Sequence, residues 1–315
     1  MPRDLTLTFL AVALVGLLAL GVVLPLWIVF LLTVAFAKAL VVIGLVVMMR
    51  AGLVSFGQGL YYGLGAYTAG LMTNFLGVTD AIALVVLGGA VSAVTGFALG
   101  FIMARYREIF FAMLSLALSM ILYGILVRSS TLGSTDGFNL PSPTYFGLAA
   151  EGAAGRRVLY GLTVIVTIGV AMVLHRFVGS PAGVMGEAIL SNEIRVEYLG
   201  TSVARVLQVT YVLGAVAAGL GGALVGLATG HIDPDLAYWT TSGEFVFVAI
   251  LSGTGHVAAP LLGMVVFETI RTFAFQYLPY TWQMVVGIAM LAVILFLPSG
   301  LWSLFIRARY VKGRA

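Results

Sequence analysis

The sequence predicts an all-α polytopic membrane protein with about eight to ten transmembrane or re-entrant helices. Three observations lead to this class: 61% of the 315 residues are hydrophobic, only 9% are charged, and the apolar runs are continuous, as in residues 10–36. Soluble proteins carry roughly 25% charged residues, and outer-membrane barrels alternate apolar and polar residues. We interpret residues 1–315 as one transmembrane domain.

Ten apolar segments are predicted as spans. They cover about residues 7–24, 27–49, 55–76, 82–103, 109–127, 157–176, 205–228, 243–254, 258–276 and 282–298. The third begins with Ser55, Gly57 and Gln58, so we expect a broken or re-entrant start. The eighth is too short to cross alone, and we expect it among other helices, where irregular backbone is tolerated.

Basic residues predict the orientation of these spans. The C-terminal tail, the loop near 104–108 and the flanks of segment 177–204 all carry arginine or lysine. If the spans alternate, these regions share one face, which the positive-inside rule makes cytoplasmic together with both termini. The loop 128–157 then faces outward, although it holds arginines of its own.

One long polar stretch, residues 186–200, interrupts the apolar sequence. It contains Glu187, Glu193 and Glu197 and ends at Gly200. A hydrocarbon core about 30 Å thick tolerates few such residues. We therefore expect this stretch between two spans and outside the bilayer, where a helix would offer a surface to a partner.

A glycine-rich stretch opens the third span. Gly59, Gly63 and Ala66 share one helix face, which allows another helix to approach closely. Ser55 and Gln58 add polar groups at membrane depth, and a backbone break there would free further hydrogen-bonding groups. Two interpretations stay open: plain helix packing, or the lining of a solute path.

Charged residues also fall inside the predicted spans. These are Lys38, Glu244, Glu268 and Arg271. Charges at this depth are costly, so they pair or face a polar cavity. Lys38 either attracts an anionic solute group or pairs with Glu244 or Glu268. Glu268 and Arg271 are close enough on one helix face to pair.

Catalytic and nucleotide-binding motifs are absent from the sequence. It has no P-loop, no Gly-x-Ser-x-Gly elbow, no His-Glu-x-x-His and no cysteine. His175, His231 and His256 fall in separate segments without the spacing of metal ligands. We interpret the chain as a transport subunit without a cofactor or an ATPase motif of its own. Basic cytoplasmic loops explain the net charge of +4 without nucleic acid.

Five ordered motifs resemble the permeases of branched-chain amino acid ABC importers. Glu187-Ala188 followed by Gly200 is similar to the EAA signature with which importer permeases contact their ATPase. The other motifs lie at residues 55–68, 217–224, 253–263 and 297–301. The resemblance covers about residues 27–305 and fits the second permease type of a high-affinity importer.

The resemblance implies a permease of the bacterial inner membrane that moves branched-chain or related amino acids. The residues expected to couple to the ATPase are Glu187, Ala188, Asn192, Glu193, Glu197 and Gly200. The candidate pathway residues are Lys38, Ser55, Gln58 and Tyr62. ATP and Mg²⁺ are expected on two separate ABC ATPase subunits. The other expected partners are a second homologous permease, a periplasmic solute-binding protein and membrane lipid.

The chain departs from the family pattern near the predicted path and in the coupling segment. Gln58 stands where histidine is usual, and Leu190 stands where a basic residue is common. Such changes affect the expected solute more than the fold, so urea, short amides and aromatic acids stay open as cargo. A second hypothesis is an ion-gradient-driven transporter that uses Glu244 and Glu268. An intramembrane enzyme is a third.

Overall fold

Twelve α-helices make up most of the chain that the computed structural model describes, which is residues 5–150, 152–297 and 300–303. The first six are α1 (Leu5–Val23), α2 (Leu26–Arg50), α3 (Gln58–Leu76), α4 (Ala81–Met103), α5 (Glu108–Arg128) and α6 (Gly152–Val178). The last six are α7 (Pro181–Ser191), α8 (Glu193–Tyr198), α9 (Val203–Thr229), α10 (Trp239–Ser252), α11 (Ala259–Tyr277) and α12 (Trp282–Phe296). The predicted class, an all-α polytopic membrane protein, is confirmed.

Every predicted span corresponds to one helix, and α7 and α8 are the two helices between spans. Six helices of the described chain, α1, α2, α4, α5, α6 and α9, are long and apolar enough to cross a membrane. The broken start of the third span is confirmed, because α3 begins only at Gln58.

Two predicted boundaries were wrong. α10 begins at Trp239, ahead of the predicted start at residue 243. α6 begins at Gly152, so the end of the predicted loop 128–157 is helical. Alanines at positions 153 and 154 favour helix, and they extend α6 beyond its apolar part. The basic tail residues Arg307, Arg309, Lys312 and Arg314 lie outside the described chain.

The centre of the bundle is formed by α9 and α2. α9 packs against α2, α3 and α4, while α6, α10 and α11 cover other sides of α2. Every α2 residue from 35 to 48 is therefore buried, which explains why this helix is apolar all round. Towards the periphery, α1 packs on α6, α5 on α3, and α12 on α11.

The contact between α9 and α3 depends on glycine. A Cβ atom at Gly65 would collide with the carbonyl oxygen of Gly219, and one at Gly222 would collide with that of Tyr62. Lipid is as apolar as the helices, so close van der Waals contact between small residues contributes much of the packing.

Short strands identify one face of the bundle. Phe138–Asn139 (β1) pairs with His231–Ile232 (β4), and Thr144–Tyr145 (β2) pairs with Leu148–Ala149 (β3), both antiparallel. The β1–β4 pair joins the loop after α5 to the loop after α9 on this side, which we call the strand face. The opposite side, the α7–α8 face, carries α7, α8 and the C-terminal ends of α2, α4 and α6.

Adding one methyl group at Gly65 tests the close contact. We expect Gly65→Ala to destabilise the fold by about 1–3 kcal/mol, because the α9 backbone leaves no room. The matched control is Gly169→Ala in α6, where a Cβ would meet nothing within 4 Å. It should be neutral or stabilise by up to about 1 kcal/mol, since alanine favours helix over glycine. Thermal unfolding in detergent measures both; equal shifts would contradict the packing argument.

Candidate functional site

The chain between α2 and α3 enters the bundle as irregular backbone. It turns at Gly52 with a φ of +81° and reaches the start of α3 through residues 53–57. Ser55 accepts a hydrogen bond from the amide of Gly57 (3.2 Å), and Ser115 of α5 accepts one from the amide of Phe56 (3.0 Å). Ser115 lies about 10 Å along the axis of α5 from its start. α3 therefore begins inside the bundle rather than at its surface.

A second helix, α10, also begins partway along the length of the bundle. After β4, a short 3-10 helix, Pro234–Ala237, leads into α10. Ser119 of α5 donates a hydrogen bond to the carbonyl oxygen of Ala237 (2.8 Å), and Ser242 accepts one from the amide of Gly59 (2.8 Å). The N-terminal ends of α3 and α10 thus meet beside α5. Each carries amide groups and the positive end of a helix dipole.

Buried polar side chains stand at this meeting point. Gln58 and Tyr62 are fully buried. Gln58 donates to the sulfur of Met48 (3.1 Å). The side-chain oxygen Oε1 of Gln58 and the hydroxyl of Tyr62 have no hydrogen-bond partner among the described residues. Because buried polar groups are normally paired, these two atoms give the interior an unused capacity to bind a polar molecule.

Lys38 belongs to a charge network next to this region. Lys38 donates to Glu268 at 2.5 Å, and both side chains are about nine-tenths buried. Arg271 lies 3.7 Å from Glu268 and 3.3 Å from Glu244. Tyr62 is near enough to interact electrostatically with Glu268 and Arg271. The predicted pairings of Lys38 with Glu268 and of Glu268 with Arg271 are confirmed, whereas contact of Lys38 with solute stays a prediction.

The polar stretch forms two helices on the α7–α8 face. Ser180 caps α7 by accepting from the amide of Gly183, and Pro181 starts that helix. Asn192 caps α8 by accepting from the amide of Arg195 (3.0 Å). Gly200 follows α8 with a φ of +80°, a conformation that glycine adopts without strain. All the predicted coupling residues lie in this segment, and their role stays a prediction.

Two ion pairs fix this segment to the bundle. Arg107 makes a two-pronged contact with Glu193 at 2.8 and 3.0 Å. Arg50, at the end of α2, lies 3.4 Å from Glu187. The sequence suggested these glutamates as contacts for another subunit, but the structure shows both bound within this chain. Glu197 is exposed.

Apolar side chains are exposed among the polar ones on the outer surface of α7, α8 and the residue that follows them. These apolar residues are Val184, Leu190, Ile194, Tyr198 and Leu199. Tyr198 is 87% exposed and Ile194 is 64% exposed. Sequence reasoning missed this surface because it weighed the charges of the stretch. Ile194 and Tyr198, four residues apart and therefore on one face of α8, were the available signal.

The α7–α8 face also brings two of the dispersed histidines together. The rings of His175 and His256 lie 6.0 Å apart, and Trp302 stacks on His256 at 4.5 Å. Burial and the nearby positive charges of His175 and Arg50 lower the pKa of His256. No group of three or more potential metal ligands occurs among the described residues.

Comparison with known proteins identifies the family. Residues 27–295 match the family described as the permease component of the branched-chain amino acid transport system. The chain belongs to this family. Its members are membrane components of transport systems, in agreement with the interpretation as a transport subunit rather than an enzyme.

Individual relatives are similar over most of the chain. The high-affinity branched-chain amino acid transport system permease protein LivM of Salmonella typhimurium is 28% identical over 278 residues, which are 81% of this chain and 65% of LivM. LivH of the same organism is 25% identical over 79% of this chain and 85% of its own length. BraD of Pseudomonas aeruginosa is 25% identical over 86% of this chain and 92% of its own length. The chain thus covers about two thirds of LivM, and no solved structure matches it.

Breaking the Lys38–Glu268 ion pair tests how much the pair contributes to the stability of the fold. We expect Lys38→Met to destabilise the protein by about 3 kcal/mol, because it leaves a buried carboxylate without its nearest cation. Lys38→Met combined with Glu268→Gln should recover part of that loss. Thermal unfolding of the single variants and the double variant measures the coupling. Strictly additive losses would show that the pair does not act as a unit.

His256 predicts a pH dependence of stability. Its pKa is lowered in the folded protein from an ordinary value of 6.5, so folding favours the neutral ring. The stabilisation is present above pH 6.5 and is lost as the pH falls through the folded pKa, since the unfolded chain binds the proton first. In neutral detergent and phosphate-free buffer, the unfolding temperature should decline between about pH 7.5 and about pH 5.5. The decline should be smaller in His256→Gln; identical pH profiles would contradict this origin.

Proposed function

We propose that this chain is the transmembrane permease subunit of an ABC importer for branched-chain or related amino acids. The observation that carries the proposal is the family match over residues 27–295. The relatives LivM, LivH and BraD are all described as permease proteins of high-affinity branched-chain amino acid transport. The multi-span fold with a helical segment between α6 and α9 is consistent with this role.

The energy input is proposed to act through α7 and α8. The expected partners are two ABC ATPase subunits, which carry ATP and Mg²⁺. The exposed apolar side chains of Ile194 and Tyr198 suit the hydrophobic centre of a docking surface. Glu187 and Glu193 transmit the movement, because their ion pairs with Arg50 and Arg107 attach the docking segment to the spans. Contact with the ATPase is assigned to Glu197 and to the apolar side chains instead.

The solute path is proposed to pass the meeting point of α3 and α10. An amino acid presents a carboxylate, which the positive dipole ends of two helix N-termini favour. Gln58 and Tyr62 contribute hydrogen-bonding atoms that are unused within the described chain. Ser55 shapes the backbone at this point, and Lys38 with Glu268 acts from the adjacent charge network.

We propose that the α7–α8 face and both termini lie in the cytoplasm. This face carries most of the arginines in the loops and loop flanks, namely Arg50, Arg105, Arg107, Arg176, Arg195 and Arg205. By the positive-inside rule such loops stay cytoplasmic. The strand face then points to the periplasm, where a solute-binding protein delivers cargo. A second homologous permease completes the pathway in the bacterial inner membrane.

Reconstitution tests the function directly. The full chain, the second permease and the ATPase subunits are placed in liposomes, and ATP-dependent uptake of radiolabelled leucine is measured with the binding protein present. We expect uptake that needs ATP and is unchanged by collapse of the ion gradient. ATP-dependent uptake of urea or an aromatic acid, but not of leucine, would revise the cargo. Uptake driven by an ion gradient alone would refute the importer class.

Removing the apolar contacts on α8 tests the docking surface. Ile194→Ser combined with Tyr198→Ala should weaken binding of the ATPase subunits by about tenfold or more, because exposed apolar and aromatic anchors dominate such interfaces. The matched control is Phe146→Ala on the strand face, where the side chain is 84% exposed. The affinity for the ATPase subunits is measured by surface plasmon resonance with the permease complex immobilised. Equal affinities of the double variant and the control would contradict the assignment.

A further inference from the structure

A basic cavity opens on the α7–α8 face, away from the interior site. Its volume is about 360 Å³. The lining comes from the end of α2, the end of α6 and the corner between α10 and α11. The basic side chains in the lining are Arg50, His175, Arg176 and His256. Two arginines and two histidines in one cavity form the chemistry of an anion site.

Among the described residues, the charge of the two arginines in this cavity is only partly neutralised. None of the described residues in its lining is acidic. Glu187 contacts Arg50 from outside the lining, at 3.4 Å and with a side chain that is 63% exposed. Within the described residues Arg176 makes no ion pair. The cavity therefore presents at least one arginine, Arg176, whose charge no acidic residue of the described chain balances.

The cavity lies beside α1, an apolar helix with little of its surface buried in the bundle. Thr6, in the first turn of α1, is 3.3 Å from His256 across the corner. The apolar window of α1 is only 11% buried within the chain, so most of that helix is exposed on the outside of the bundle. Trp302 covers the other side of the His256 ring. A ligand in the cavity can therefore place a polar head against the arginines and an apolar tail along α1.

We propose that this cavity binds a negatively charged phosphate group. Arginine matches the geometry of phosphate oxygens with paired donors. The group comes from the headgroup of an anionic phospholipid or from a soluble phosphate compound. The neighbouring α1 surface favours the lipid, and basic pockets between helices at a membrane surface hold such headgroups.

The electrostatics of His256 agree with this assignment. Burial is the largest cause of the lowered pKa of His256, and repulsion from the nearby His175 and Arg50 adds to it. A bound anion would offset that repulsion and let the ring accept a proton more readily. Binding of phosphatidylglycerol, whose phosphodiester charge does not change in this range, is therefore expected to be tighter at about pH 6 than at about pH 8.

The experiment uses the full chain in phosphatidylcholine nanodiscs. Binding of fluorescent phosphatidylglycerol and of inorganic phosphate is titrated separately. We expect Arg176→Gln to weaken binding of phosphatidylglycerol about fivefold, the effect of one basic residue at an anionic lipid surface. The matched control is Arg105→Gln, an exposed arginine of the same face outside the cavity, which should bind as the parent protein does.

The two titrations distinguish the source of the phosphate. Phosphatidylglycerol binding that depends on Arg176, without binding of inorganic phosphate, supports the lipid headgroup. Inorganic phosphate binding with the same dependence on Arg176 supports a soluble phosphate compound. Equal weakening by Arg176→Gln and Arg105→Gln would mean general attraction to a basic face and would overturn the proposal. Absence of binding by both probes would overturn it as well.

Discussion

Backbone-to-backbone contact between α9 and α3 is the constraint on which the interior of this protein depends. Glycines at 65 and 222 let the two helices approach until one backbone touches the other. That contact fixes α3 in depth and rotation, and α3 in turn presents Gln58 and Tyr62 to the centre of the bundle. A bulkier residue at the contact would displace the interior polar groups together with the helix.

Helices that begin inside a membrane protein must satisfy their first amide groups without water. Serines perform this task here. Ser115 and Ser242 accept hydrogen bonds from amide groups at the start of α3. Ahead of α10, Ser119 instead donates to the carbonyl oxygen of Ala237. The charge network of α2 and α11 meets the same requirement for side chains, because Lys38 and Glu268 bury each other's charge.

Much of this architecture follows from composition and local pattern. Continuous apolar runs predicted the ten spans, and the polar stretch at 186–200 predicted a segment outside them, since both depend on transfer between water and lipid. The depth at which α3 and α10 begin could not be predicted, because it is set by hydrogen bonds to α5. The pairing of Arg107 with Glu193 and the approach of His175 to His256 were also beyond reach. They join residues far apart in sequence whose distance depends on the packing of whole helices.

The position of α7 determines how a displacement of this helix would reach the interior of the bundle. Gly186 lies against Ala51, and Leu190 lies against Gly52, so α7 rests on the turn between α2 and α3. Only residues 53–57 separate that turn from the first residue of α3. A displacement of α7 would therefore reach the first residue of α3 through this short connection. The stiffness of the connection determines how far α3 would move with α7. Inserting residues between positions 53 and 57 would lengthen this connection, so that Gln58 would follow a displacement of α7 less closely.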